Sequence, residues 1–149
     1  MSTTAVQGPS RHPVASEALR DAGLRVTQSR AAVYAALAAH PHASADALFA
    51  AVGPLMPRLS RQSVYNALND FADAGIVRRI EPAGQSMLFE LRVSDNHHHL
   101  ICTDCGTVAD VDCAVGHAPC LTPSQDHGFA IASAEVTYWG LCSACAAAA

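Results

Sequence analysis

Residues 97 to 106 read His-His-His-Leu-Ile-Cys-Thr-Asp-Cys-Gly, and no other stretch restricts the chain as strongly. Three imidazoles run directly into a C-x-x-C knuckle, Cys102 and Cys105. A second knuckle, Cys142 and Cys145, begins thirty-seven residues after Cys105. Four thiolates in two knuckles suit a closed, tetrahedral zinc site. The histidines have no place in that closed set. Two metal sites are therefore expected, one holding the fold and one reporting to the rest of the chain.

That reading depends on compartment. No apolar run approaches the ~20 residues a membrane span needs. Met1 to Arg11 lack the basic start and apolar stretch of a secretion signal. A cytoplasmic protein with no membrane partner is expected, and there paired C-x-x-C motifs hold metal more often than they form disulfides. A thiol–disulfide oxidoreductase would want a βαβ setting, and a zinc hydrolase an open coordination position. The chain offers neither, so no enzyme is expected.

The net charge is -4, yet its distribution is lopsided. All nine arginines lie at or before Arg92, there is no lysine, and residues 1–92 carry a balance of +2. Residues 93–149 hold six acids and no Lys or Arg, a balance of -6. Two domains with different partners follow, the arginine-bearing one a phosphate binder. The expected division is 1–91, a hinge at 92–96, and 97–149.

Along the first half, His12 to Ala22 reads as a helix, with Pro13 in its first turn and Gly23 beyond its end. Thr27 can cap a second helix carrying Val33, Tyr34 and Leu37, and Ser44 a third running to Gly53-Pro54. Ser60 caps a fourth, ended by Gly75. Val64, Ala67, Leu68, Phe71 and Ala72 form its apolar stripe, with Arg61, Gln62, Tyr65, Asn66 and Asn69 opposite. Ile76 to Ile80, the turn Pro82 to Gln85, and Met87 to Val93 then read as a hairpin. This is the order of a winged helix-turn-helix: Arg61 and Gln62 lie at the helix end that enters a groove, and Arg78 and Arg79 reach for the sugar-phosphate backbone.

In the second half, Ile101-Cys102 and Thr107 to Val111 read as short strands around the knuckle. Asp110 and Asp112 lie on one side of the second. Residues 113–129 read as a broken helix and loops, and Val136 to Leu141 as a strand delivering Cys142 and Cys145. Cys113 and Cys120 read equally as a redox pair or as buried thiols.

His97 to Gly106, Tyr138-Trp139-Gly140-Leu141-Cys142 with Cys145, Ser63-Val64-Tyr65 through Ala74-Gly75-Ile76-Val77, and Gly23 to Thr27 together resemble the ferric uptake regulator family. The likeness spans about Ala18 to Cys145. The run Asp110 to Gly116, then Ala118-Pro119-Cys120, looks like its branch that represses catalase-peroxidase genes in response to peroxide. The resemblance implies an α+β fold, a winged helix followed by a small α/β dimerisation domain. It implies a homodimeric repressor of a palindromic double-stranded operator, with structural Zn(II) on Cys102, Cys105, Cys142 and Cys145. Regulatory Fe(II) or Mn(II) would be held by His42, Glu90, His97, His99 and Asp110. Tyr65 takes the place of a base-contacting tyrosine, and Arg25 that of a basic residue near the DNA backbone.

Three positions depart from the family pattern. Asn66 stands where many members have arginine. Glu90 stands where the best-known peroxide sensors have aspartate, which keeps open an iron-uptake repressor blind to peroxide, ahead of a nickel or zinc sensor. Ala134 stands where some relatives place a histidine for a third metal, so Asn96 and His98 read as remnants. The implied set of three imidazoles and two carboxylates suits Fe(II), Mn(II), Ni(II) or Zn(II) over copper(I).

Overall fold

The computed structural model describes residues 13–93, 95, 97–112, 123–132 and 134–149. The chain divides into two units, Met1–Val93 and Ser94–Ala149.

In the first unit, α1 (Ala15–Asp21), α2 (Gln28–Ala39), α3 (Ala45–Val52) and α4 (Arg61–Asp73) precede a small sheet. The capping residues act as expected: Thr27 accepts from Arg30 N–H, Ser44 from Ala47 N–H and Ser60 from Ser63 N–H. Each satisfies an amide that the first helical turn leaves over. Gly75 adopts φ +74°, the left-handed turn that lets the chain leave α4 for the hairpin. α1 begins three residues later than expected, at Ala15: Val14 is its cap, with a non-helical ψ of 137° though its carbonyl accepts from Glu17 and Ala18 N–H. His12 lies outside the described residues.

Leu19, Val33, Leu37, Leu48, Val64, Leu68 and Phe71 are fully or almost fully buried in one core, with Tyr34 edge-on to Phe71 at 6.1 Å. Of the expected α4 stripe, Val64, Ala67, Leu68 and Phe71 are buried and Ala72 half-buried. The hairpin is β2 (Arg78–Ile80) and β3 (Leu88–Glu90), turning through Pro82 to Gln85. A third strand went unforeseen: β1 (Ala43–Ser44) pairs antiparallel with β3, giving the order β1-β3-β2. Two residues carry no readable period, and β1 exists because β3 offers it an edge.

The second unit is a sheet of order β5-β4-β6: β4 (His97–Cys102) at the centre, β5 (Val108–Asp112) antiparallel and β6 (Thr137–Gly140) parallel to it. β4 is longer than the expected Ile101-Cys102 strand, since the three histidines are part of it. The Ala-rich tail, uninformative in sequence, closes as α5 (Ser143–Ala148) directly after Cys142. Cys113, Cys120, His117, Asn96 and most of the expected 113–129 loop region lie outside the described residues.

Candidate metal centres and nucleic-acid interface

β4 runs into the first knuckle, where Gly106 takes φ +74° and returns the chain toward β5, with Cys102 N–H donating to Thr107 O at 2.9 Å. β6, parallel to β4, delivers Cys142 beside it. The sulfurs of Cys102, Cys105, Cys142 and Cys145 all lie within 4.8 Å of one another. Cys105 Sγ and Cys142 Sγ are 3.8 Å apart. A tetrahedron with zinc–sulfur bonds of ~2.3 Å has edges of about 3.8 Å, so this spacing fits zinc and far exceeds a ~2.05 Å disulfide.

The backbone also prepares thiolates. N–H groups of Cys105, Cys142 and Asp104 point at the Cys102 sulfur and lower its pKa to about 6. The Thr107 hydroxyl and amide lower Cys105. Cys145 is pushed upward, first by the Asp104 carboxylate beside it and then by the sulfur of Cys142. Four sulfurs with no cation among them cannot all carry charge, and a divalent ion removes that conflict.

The second cluster within this unit follows from strand register. His99 lies opposite Asp110 and His97 opposite Asp112 across β4 and β5, so these four share one face. His97 Nε2 and His99 Nε2 stand 3.7 and 3.6 Å from the same oxygen of Asp110. The two rings meet edge to face at 4.8 Å. Both imidazoles are buried, and Asp110 is half-buried. Metal–ligand bonds of ~2.0–2.2 Å put neighbouring donors about 3–3.6 Å apart, so two nitrogens and an oxygen at these distances suit a divalent ion. Asp95 Oδ1 lies 2.9 Å from His97 Nδ1. A carboxylate there fixes the tautomer, with Nδ1 donating and Nε2 turned toward Asp110. Sequence reasoning took Asp95 only as part of the hinge. Its position two residues before His97 was the available signal. His98 faces the other side, buried and edge-on to Tyr138 at 6.3 Å.

The first unit carries its own candidate ligands. His42 Nε2 is 3.2 Å from Glu90 Oε2, with the Glu90 side chain 2% exposed. His42 takes φ +61°, a left-handed conformation uncommon outside glycine, at the step into β1. His42 directly precedes β1, and continuing the Ala43–Phe89 register sets it opposite Glu90.

On the expected DNA-reading face, Gln62, Tyr65, Asn66 and Asn69 are exposed on α4. Gln62 Nε2 donates to Asn66 Oδ1 at 2.9 Å. Arg61 does not extend from the helix: it pairs with Asp46 of α3 and lies over the Phe49 ring at 5.1 Å. Arg79 donates to Asn69 at 3.1 Å and approaches Asp73 at 3.6 Å, tying β2 to α4. Arg78 lies 3.7 Å from Glu90. Arg25 is exposed ahead of α2, its carbonyl accepting from Arg30, which also pairs with Asp70. Thus three of the four arginines expected at DNA are held by carboxylates of their own unit.

The sequence profile of the ferric uptake regulator family matches residues 21–139. The transcriptional regulator FurA of Mycobacterium tuberculosis is 53% identical over 133 residues, covering 89% of this chain and 90% of that protein. The peroxide-responsive repressor PerR of Staphylococcus epidermidis is 32% identical, covering 85% of each. Among solved structures, the ferric uptake regulator of Pseudomonas aeruginosa with manganese superposes at a TM-score of 0.65 and 26% identity, covering 88% of this chain and 99% of that one.

Proposed function

This chain belongs to the ferric uptake regulator family, and on that premise we propose that it is a metal-dependent repressor that binds a palindromic operator as a homodimer and releases it on exposure to peroxide. Its targets in this reading are a catalase-peroxidase gene and its own. Zn(II) on Cys102, Cys105, Cys142 and Cys145 is structural. His42 and Glu90 from one unit, with His97, His99 and Asp110 from the other, hold regulatory Fe(II) or Mn(II).

The observation that carries the reading is the pair of buried imidazoles converging on Asp110, with Asp95 behind His97. Two buried nitrogens aimed at one carboxylate oxygen are a donor set poised for a cation. Bound there, an ion supplies a cross-link between donors and, as Fe(II), an electron for peroxide. Binding by both ligand sets restrains residues 92–96 and so selects the separation of the two α4 helices in a dimer. Half-sites one turn apart lie ~34–36 Å centre to centre, so only some hinge states fit. Gln62, Tyr65 and Asn66 then meet base edges.

A second reading has one residue in its favour. Glu90 replaces the aspartate of the best-known peroxide sensors, which favours an iron-uptake repressor indifferent to peroxide. The likeness to PerR supports the first.

The test is binding to DNA upstream of the chain's own gene, titrated with Mn(II), Fe(II), Zn(II) and Ni(II), each with and without stoichiometric peroxide. Mn(II) and Fe(II) are expected to promote binding, and peroxide to abolish it with Fe(II) only. The peptides holding His42 and His97–His99 should then gain oxygen mass. Unchanged binding and mass with Fe(II) and peroxide would leave the iron-uptake reading, and indifference to every metal would overturn both.

A further inference from the structure

Arg78 and Glu90 stand opposite each other in the β2–β3 pairing. Arg78 Nη1 lies 3.7 Å from Glu90 Oε1, and the other oxygen of that carboxylate is 3.2 Å from His42 Nε2. The Glu90 side chain is 2% exposed, that of Arg78 27%. A carboxylate so deeply buried requires nearby positive charge, and the guanidinium of Arg78 supplies a permanent one. Its neighbour Arg79 is engaged with Asn69 and Asp73 of α4. Adjacent arginines of one wing strand thus serve different partners, one the DNA-reading helix and the other a candidate metal ligand.

We propose that Arg78 is an exchangeable countercharge: it neutralises Glu90 until a divalent cation takes that carboxylate, and is then released to bind a phosphate of the operator. The inference rests on Glu90 being a ligand, as read above. Two positive groups compete for one carboxylate, and the dication also repels the displaced guanidinium. The partly exposed head of Arg78 can swing into solvent on its flexible stem while the core stays packed. Metal and DNA then reinforce each other through one side chain, and the coupling is reciprocal.

The test uses full-length, zinc-loaded protein. Mn(II) affinity is measured by calorimetry without DNA, and operator binding against KCl with and without saturating Mn(II). Arg78→Gln, which keeps length and polarity but removes the charge, should bind Mn(II) about twofold to fivefold more tightly, the loss of one ion pair's competition. With Mn(II), its log–log salt dependence should be shallower than wild type by about 0.9, one phosphate contact. Without Mn(II) the two slopes should coincide. Arg78→Lys should keep the loaded slope, and thermal melts establish that both variants fold. Equal or weaker Mn(II) binding by Arg78→Gln, or an unchanged loaded slope, overturns the proposal. Glu90→Gln separates the two levels. If it loses Mn(II) while Arg78→Gln behaves as wild type, this inference alone fails; if it binds Mn(II) normally, the ligand assignment fails with it.

Discussion

Asp95 Oδ1 sits 2.9 Å from Nδ1 of His97 while Nε2 of the same ring faces Asp110 at 3.7 Å. One carboxylate thereby orients an imidazole toward another. Asp95→Ala removes the orienting acceptor but none of the proposed ligands. Orienting partners of this kind typically contribute 10–100-fold in metal affinity. Mn(II) affinity should fall by about that range, while zinc content measured by mass spectrometry stays at one per chain.

The thiols make a pH prediction for the zinc-stripped protein. Cys102 has an ordinary value of 9.0 and is held at about 6 in the fold. A depressed pKa stabilises the fold above the unfolded value, and that contribution is lost as pH falls through the folded value. Cys105 is lowered and acts in the same direction. Cys145 is raised, so below about pH 8 it is protonated folded and unfolded alike and adds no slope. Urea stability of the stripped protein should therefore decline from about pH 8 to pH 6, and Cys102→Ser should flatten that decline. An identical slope in the variant would refute it.

Much of this was legible because the sequence writes local chemistry plainly. Thr27, Ser44 and Ser60 cap three helices, Gly75 ends α4, and the two knuckles bring four sulfurs together. Each depends on residue type and short spacing. What escaped notice depends on where distant segments come to lie. β1 exists only against β3, and α5 forms in an alanine run without pattern. Arg61 looks like a groove-reaching cation until α3 sets Asp46 and Phe49 beside it. Asp95 was hidden for another reason: a hinge residue and an orienting carboxylate are spelled alike.

That pairing of Arg61 separates two residues that the sequence grouped together. Tyr65 is 41% exposed on α4, whereas the guanidinium of Arg61 is engaged with Asp46 and Phe49. Tyr65→Ala should weaken operator binding by about 1–3 kcal/mol, the worth of a good base contact. Arg61→Ala should cost less affinity, and its loss of stability should stay near the ~0–1 kcal/mol of an exposed ion pair. Fluorescence anisotropy on one operator fragment ranks the two. Arg61→Ala costing more than Tyr65→Ala would show that Arg61 leaves Asp46 for the DNA.

The cap of α4 gives a prediction in which stability and DNA binding change together. Ser60 Oγ accepts from Ser63 N–H at 3.0 Å, and its side chain also meets Ser63 Oγ at 2.8 Å. Ser60→Ala leaves that amide without its cap and should cost about 1 kcal/mol. The core side of the helix, Val64, Leu68 and Phe71, is untouched, so the fold should persist with a lower urea midpoint. The loosened turn carries Arg61 and Gln62, so loaded operator affinity should drop as well. Ser60→Asp restores an acceptor and favours the helix dipole, so it should recover the urea midpoint. Its added negative charge at the groove-facing end should still weaken DNA binding. Recovery of both properties by Ser60→Asp would mean that this end of α4 lies away from the phosphates.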